Sequence, residues 1–309
     1  LSNSGSQLPN RKLPSIQVQS ILFNNDLPSL IRALESIERA TELAVQEGVC
    51  DFIQVTYGDC SPSRCITEEE VANLQERFSN KFKLSYLFFN ENLGSARGHN
   101  RLGLEATVDF LLIQNPDVVI SPRLFERMLE PFSMSTVGMV EAKQLPIEHP
   151  KEYNAVTGET GWATTACALI PLSLFQRLNG FDADSFFLYC DDVDFSWMVR
   201  EAGLKVIFQP SAVVFHDKRL SDDGAWQPTA AERYYSAEAA CLITYKWSRP
   251  DLTEFFLNYF RNNGDEYQKK AAKAFEIRRE EGRLPKPRDS KHKVAEFIDH
   301  LYTKHRYPL

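Results

Sequence analysis

The groups best able to do chemistry crowd into residues 178–216. Asp182, Asp184, Asp191, Asp192 and Asp194 fall within thirteen residues. Apolar residues at helical spacing follow (Phe195, Met198, Val199, Ala202), and Gly203 supplies a stop. A helix start attracts carboxylates, because the N–H groups of its first turn have no partner within the helix. The same carboxylates beside a cleft are equipped for general-base work. A β-rich run, Val206 to Phe208 and Val213 to Phe215, then ends on His216, whose neutral imidazole is a potential metal ligand.

Four further polar clusters each follow a hydrophobic run. Phe23, Asn24 and Asn25 end the first. Asp59 ends the second, in YGDCS. Residues 92–100 (NLGSARGHN) follow the third, with small residues at Gly94 where a backbone can approach a ligand and Arg97 as a phosphate partner. This loop matches neither the P-loop nor the GxGxxG fingerprint. Asn115-Pro116-Asp117 ends the fourth and most apolar run. Two oxygen-bearing side chains at one strand end can face a hard divalent cation and a diphosphate together. Taken alone, each cluster is also what an ordinary Asn/Asp turn requires.

The elements that must position these groups alternate. Ile16–Phe23, Phe52–Tyr57, Phe82–Phe89, Val108–Gln114, Val137–Glu141 and Cys167–Ile170 read as strands. Between them, Pro28 opens a helix with Leu30, Ile31, Leu34 and Ile37 on one face. Thr67 and Glu70 form a capping box ahead of Val71, Leu74 and Phe78. Short helices are expected over Leu124–Leu129 and Leu172–Leu178, and residues 144–161 read as a surface loop. This alternation predicts an α/β fold with a mostly parallel sheet flanked by helices. Ligands of such sheets bind beyond the carboxyl ends of the strands, so the clusters should converge there.

The expected organisation is a flexible leader over residues 1–14, a catalytic domain over 15–220, and a helical C-terminal extension over 221–309. In the extension, 231–247, 251–260 and roughly 294–304 have helical patterning, 265–282 is densely charged, and 283–293 is basic and irregular. A net charge of −7 disfavours a nucleic-acid-binding face. The six cysteines show no CxxC or zinc spacing and point to a reducing, cytoplasmic setting. No run of 18 apolar residues is present. The extension's aromatic residues, Tyr234, Tyr235, Trp247, Phe255, Phe256, Tyr259 and Phe260, have two readings: packing on the domain or a second subunit, and peripheral contact with a membrane's inner face.

In this order, SILFNN, YGDCS, NLGSARGHN, LLIQNPDV, NGFDADSFFLYCDDVDFSWMVREAG and PSAVVFH resemble the family 2 glycosyltransferases of the GT-A (Rossmann-like) fold. The resemblance covers about residues 15–218 and is nearest the bacterial rhamnosyltransferase and galactofuranosyltransferase-like branch. It implies an inverting transfer of a hexosyl or deoxyhexosyl group from a UDP-, dTDP- or GDP-linked donor to a saccharide or lipid-linked saccharide, in cell-surface polysaccharide synthesis. It implies a divalent cation, Mn²⁺ or Mg²⁺, held by Asp117 and His216. Asp192, with Asp191 beside it, would be the general base. Phe23, Asn24, Asp59, Asn92, Gly94, Arg97 and Asn115 would bind the donor, with Asp59 on its base. Trp197 and Arg200 would buttress Asp192 from behind. The chain departs from the family at Asp191, where Glu is usual, at Thr165, where Gly is common, at Met198, where Arg is frequent, and in the Phe-Asn-Asn turn. The alternatives are a nucleotide-sugar-binding module without turnover and a nucleotidyltransferase. The latter needs a Gly-rich, Lys-bearing loop after the first strand, which FNNDLPS does not supply.

Overall fold

A computed structural model describes residues 12–216 and 228–303. Most of the expected leader and of the 221–229 linker lies outside the described residues. The chain begins with strand β1 (Ser15–Leu22) and helix α1 (Leu27–Gln46), then β2 (Phe52–Asp59), α2 (Glu68–Phe78), β3 (Lys83–Phe88) and α3 (Gly94–Gly103). The capping box at Thr67 and Glu70 is present at the start of α2. Asp26, rather than Pro28 alone, starts α1, its carboxylate accepting from the Ser29 N–H at 2.9 Å.

β4 (Phe110–Gln114), β5 (Val118–Ile120), α4 (Leu124–Leu129), β6 (Val137–Leu145), the two-residue β7 (Glu159–Thr160), β8 (Cys167–Pro171) and α5 (Leu172–Arg177) follow. The acid-rich segment then leads into α6 (Asp191–Glu201) and β9 (Lys205–His216). Among the described residues the strands form one sheet in the order β3-β2-β1-β4-β8-β6-β9-β5, with β7 also on β9. The longest ladders, β1 with β2, β2 with β3 and β6 with β9, are parallel. β8 is antiparallel to β4 and β6, and β5 is antiparallel to β9.

Alternation along β4 divides the core. Leu111 and Ile113 join the apolar cluster beneath α6 and the C-terminal helices, while Leu112 joins the cluster beneath α1 and α4. β9 is one strand across the polar interruption at Gln209–Ser211, where a bulge shifts its register against β6. The three-residue β5 is too short to give a period and was not expected from the sequence.

The C-terminal extension is helical, with α7 (Ala230–Lys246), α8 (Pro250–Asn262) and α9 (Glu266–Glu280). α9 occupies the densely charged stretch. It is capped by Asp265 and buries Ala271, Ala272 and Phe275. The helix expected over 294–304 does not form in its described part. The Asp289 carboxylate takes the N–H groups of Lys293, Val294 and Ala295 at 2.8–3.0 Å, and Asp299 adopts a positive φ of 60°. Both hold the segment in turns that end in an isolated Ile298–Leu301 bridge.

The extension's aromatic residues pack inward. Trp247, Phe256 and Phe260 are fully buried, and Tyr234, Phe255 and Tyr259 lie against the same cluster. That packing accounts for most of their pattern. Among the described residues no helix is long and apolar enough to cross a membrane.

One ionic cluster joins the two parts. The Lys246 ammonium, buried at the end of α7, donates to Asp182 at 2.6 Å and to Asp194 at 2.8 Å, and the Trp247 indole N–H donates to Asp194 at 2.9 Å. Removing one member strands buried charge. Lys246→Met should therefore destabilise the protein by about 3–5 kcal/mol, read as a lower urea midpoint, and Asp194→Asn added to it should recover part of the loss.

Candidate functional site

The carboxyl ends of β1, β2 and β4 bring the polar clusters to one edge of the sheet, as the topology requires. After β1, Phe23 and Asn24 are exposed, and Asn24 is left-handed at φ 56°. The Asn24 N–H donates to the Ser61 hydroxyl at 2.8 Å, tying this turn to the one after β2.

Asp59 is fully buried at the end of β2. Its carboxylate accepts from the Ser61 and Cys65 N–H groups at 2.9 and 2.8 Å, from the Tyr86 hydroxyl, and weakly from the Cys65 thiol at 3.5 Å. Burial pulls its pKa up, but these hydrogen bonds outweigh burial and hold it below the usual carboxylate range. All four acceptor directions are taken. A nucleobase N–H would have to replace one of these donors, and the thiol is the weakest.

The third cluster is the start of α3. Asn92 accepts from the Gly94 N–H at 3.2 Å. Gly94 has φ +69°, and a Cβ there would lie 2.5 Å from the Phe187 carbonyl oxygen, so glycine is required by both conformation and space. The neighbouring Ser95 N–H donates to that carbonyl at 3.0 Å. Arg97 is exposed and pairs with exposed Asp184 at 2.9 Å. His99, from the same motif, is buried with its ring nitrogen 3.1 Å from the Gln19 amide, and burial drives its pKa down to about 3. It is a neutral structural group.

Asn115, Asp117 and His216 meet at a corner. The antiparallel register of β5 on β9 pairs Val118 with His216 and so delivers the imidazole across from Asp117. His216 Nε2 lies 3.6 Å from Asp117 Oδ1 and 3.3 Å from Asn115 Nδ2, while Nδ1 lies 2.8 Å from Gln144 Oε1. Two ligands each about 2.1 Å from one cation stand roughly 3–3.6 Å apart, so the His216–Asp117 pair fits a shared ion. No cluster of three or more His, Cys, Asp or Glu suited to a metal is present among the described residues. A cation here would take the remainder of its shell from other oxygen donors, as Mg²⁺-type ions do with phosphates.

Asp191 and Asp192 open α6. The two residues ahead, Tyr189 and Cys190, both lie in the left-handed region, at φ 67° and 57°. Such conformations cost about 1–3 kcal/mol each in non-glycine residues and persist only where the surroundings impose them. Asp191 is buried; one carboxylate oxygen bonds the Ser95 side chain and Oδ2 has no partner. Burial first, and the adjacent Asp192 second, push its pKa up to about 7. Asp192 is half-buried and accepts from the Val193 N–H at 2.8 Å. Asp194 does not join this pair, since it is turned to Lys246 and Trp247.

The buttress lies behind. Trp197 packs edge-on against Trp247, and Arg200 holds the Val294 carbonyl and Glu296. The Ser196 hydroxyl donates to the Asp192 carbonyl and accepts from the Ala163 N–H at 3.0 Å, tying the first turn of α6 to the 161–166 loop. Ser95, Tyr86, Gln144 and Lys246 were not singled out from the sequence. Each acts through a partner at least 27 residues away, a separation that no local pattern reveals.

No family model matches the chain. Over 61 residues it is 38% identical to the N-acetylglucosaminyl-diphospho-decaprenol L-rhamnosyltransferase of Mycobacterium tuberculosis, a stretch that spans 20% of this chain and 20% of that protein. Among solved structures, GalNAc-T7 with UDP, GalNAc and Mn²⁺ superposes with a TM-score of 0.62 at 12% identity, covering 88% of this chain and 56% of that one. The mannosyltransferase PcManGT of Pyrobaculum calidifontis, in complex with GDP-Man and Mn²⁺, gives 0.53 at 17% identity over 87% and 76% of the two chains. S. aureus TarS, residues 1–349, gives 0.52 at 14% identity over 81% and 74%. The chain has the GT-A glycosyltransferase fold.

Proposed function

We propose that this protein is an inverting family 2 glycosyltransferase that moves a hexosyl or deoxyhexosyl group from a nucleoside-diphosphate sugar to a hydroxyl of a glycan or lipid-linked glycan. The observation that carries the reading is the pairing of two dissimilar corners on one edge of a GT-A sheet. One has Asp117 and His216 spaced for a shared cation. The other has a buried Asp191 beside a half-buried Asp192 at a helix start. The short match to a rhamnosyltransferase supports the branch, and the Mn²⁺ and nucleotide or nucleotide-sugar ligands named for two neighbours support the cofactor and donor class.

In this reading the nucleoside lies over the turns after β1 and β2. Phe23 and Asn24 flank it, and Asp59 takes a base N–H in place of the Cys65 thiol. Asn92, Gly94 and Arg97 line the donor's loop, with the Gly94 backbone making the close approach. Asp117 and His216 would hold Mn²⁺ or Mg²⁺, with Asn115 beside them on the donor, and the ion would offset charge on the departing diphosphate. Asp192 removes the proton from the acceptor hydroxyl as its oxygen bonds to the anomeric carbon and the bond to the diphosphate breaks. Asp191 beside it is buried, and burial together with the adjacent carboxylate raises its pKa to about 7. One base suffices, unlike hydrolases with two carboxylates flanking the bond. We place the reaction in the cytoplasm, in surface-polysaccharide synthesis.

Calorimetric titration of UDP, dTDP and GDP, each with and without Mn²⁺, tests the donor reading. One nucleotide should bind, need the metal, and lose binding in Asp117→Ala. Absence of binding by all three to folded protein would end the proposal. Asp192→Asn should keep that binding and lower turnover by about 10²–10⁴-fold. Nucleotide binding without turnover in the unaltered protein, across donors and acceptors, would instead favour a binding module.

Asp191 makes a separate prediction about stability. Its folded pKa is raised, so the folded state holds a proton that the unfolded chain has released above about pH 4. Its contribution is therefore present at low pH and lost as pH rises from about 4 to 7, by on the order of 4 kcal/mol. Asp191→Asn should flatten that part of the stability–pH curve measured by urea denaturation. A curve with unchanged slope would show that the carboxylate is not held protonated.

A further inference from the structure

We propose that Gln144 is a positioning residue that selects the His216 tautomer able to bind a cation. The cation half of this inference rests on the function proposed above. The tautomer half rests on geometry alone.

Gln144 is the penultimate residue of β6 and is fully buried. Its backbone is fixed twice. It pairs with Val214 of β9, and its N–H donates to the Glu148 carboxylate at 2.7 Å. From that position Oε1 lies 2.8 Å from His216 Nδ1, while Nε2 is buried with no partner. A buried amide N–H left unpaired costs about 1–3 kcal/mol. The amide oxygen is thus the group of Gln144 directed at the imidazole.

The consequence follows from imidazole chemistry. An amide oxygen can only accept, so Nδ1 must carry the proton, and the lone pair is then on Nε2. Nε2 is the nitrogen that faces Asp117 and Asn115. The opposite tautomer would donate Nε2–H toward the Asp117 carboxylate and offer nothing to a cation. Gln144 thus does for His216 what a carboxylate or carbonyl partner does for metal-binding histidines generally. The Asn115 amide, 3.3 Å from Nε2, donates to the same lone pair, so a cation that binds there displaces that contact.

The test has one arm without metal and one with it. ¹⁵N NMR of the imidazole nitrogens, with His216 assigned by loss of its signals in His216→Asn, should show the Nδ1–H form in metal-free protein above pH 7.5. Gln144→Met, of similar shape but without the acceptor, should shift the population toward Nε2–H, and Gln144→Glu, which keeps an acceptor, should restore Nδ1–H. Mn²⁺ affinity, followed by EPR with saturating nucleotide, should fall about 10–100-fold in Gln144→Met and recover in Gln144→Glu. Matched thermal melts keep the comparison between folded proteins. An unchanged tautomer in Gln144→Met, or a Gln144→Glu variant that fails to recover, would overturn the assignment. Unaltered protein that shows the Nδ1–H form yet binds no Mn²⁺ would overturn the cation half and the metal-dependent transfer, leaving the Gln144–His216 contact as a structural device.

Discussion

The buried Lys246 ammonium is the constraint on which much of this structure depends. A charge in so dry a place must be matched, and Asp182 and Asp194 match it from two different segments. Asp182 lies before α6 and Asp194 lies in its first turn, so one cation holds both ends of the loop that carries residues 182–190. The Trp247 indole adds a second bond to Asp194, and its ring packs on Trp197 one turn further along the same helix. The C-terminal helices are in this sense part of the sheet domain's own construction. Their aromatic residues fill the core beneath α6, which would otherwise present a flank to water.

That clamp explains how the chain sustains a strained entry into α6. Tyr189 and Cys190 are left-handed without being glycine, and the cost is met by packing around them. What the strain achieves is placement. It aims Asp191 into a buried position against Ser95 and leaves Asp192 at the half-exposed edge. The carboxylates at this helix start therefore part company. Asp194 pairs with a lysine, Asp191 is buried with its pKa raised by desolvation, and Asp192 stays half-exposed. Helix-dipole attraction alone would have treated all three alike.

The opposite corner is built by strand pairing rather than by packing. Asp117 and His216 lie 99 residues apart and meet because β5 runs antiparallel to β9 in a register that pairs Val118 with His216. β6 on the other side of β9 supplies Gln144. Three strand ends thus set one imidazole: one brings the ring, one brings the carboxylate and one chooses the tautomer. Rigid elements hold such geometry more closely than loops do.

Much of this was legible in the sequence. Hydrophobic runs alternating with amphipathic ones specified an α/β fold, because strands buried on both faces and helices buried on one leave different periods. Asn/Asp turns after the strands pointed to one reactive edge, since a parallel βα unit puts its ligand side there. Thr67 and Glu70 announced a helix start, whereas the extension's aromatic residues were compatible with packing and with a membrane surface. Tertiary structure alone decided the rest. Asp59 looked available from sequence, yet its partners Ser61, Cys65 and Tyr86 take its acceptor directions, and only folding brings Tyr86 to it. The 294–304 period looked helical, but Asp289 captured the N–H groups that a helix would need. Which of three neighbouring aspartates pairs with a lysine and which is desolvated, and which nitrogen of His216 keeps its lone pair, depends on Lys246, Ser95 and Gln144 arriving from distant strands and helices. Local patterns record what a segment prefers, whereas protonation and tautomer are set by whatever the fold places within about 3 Å.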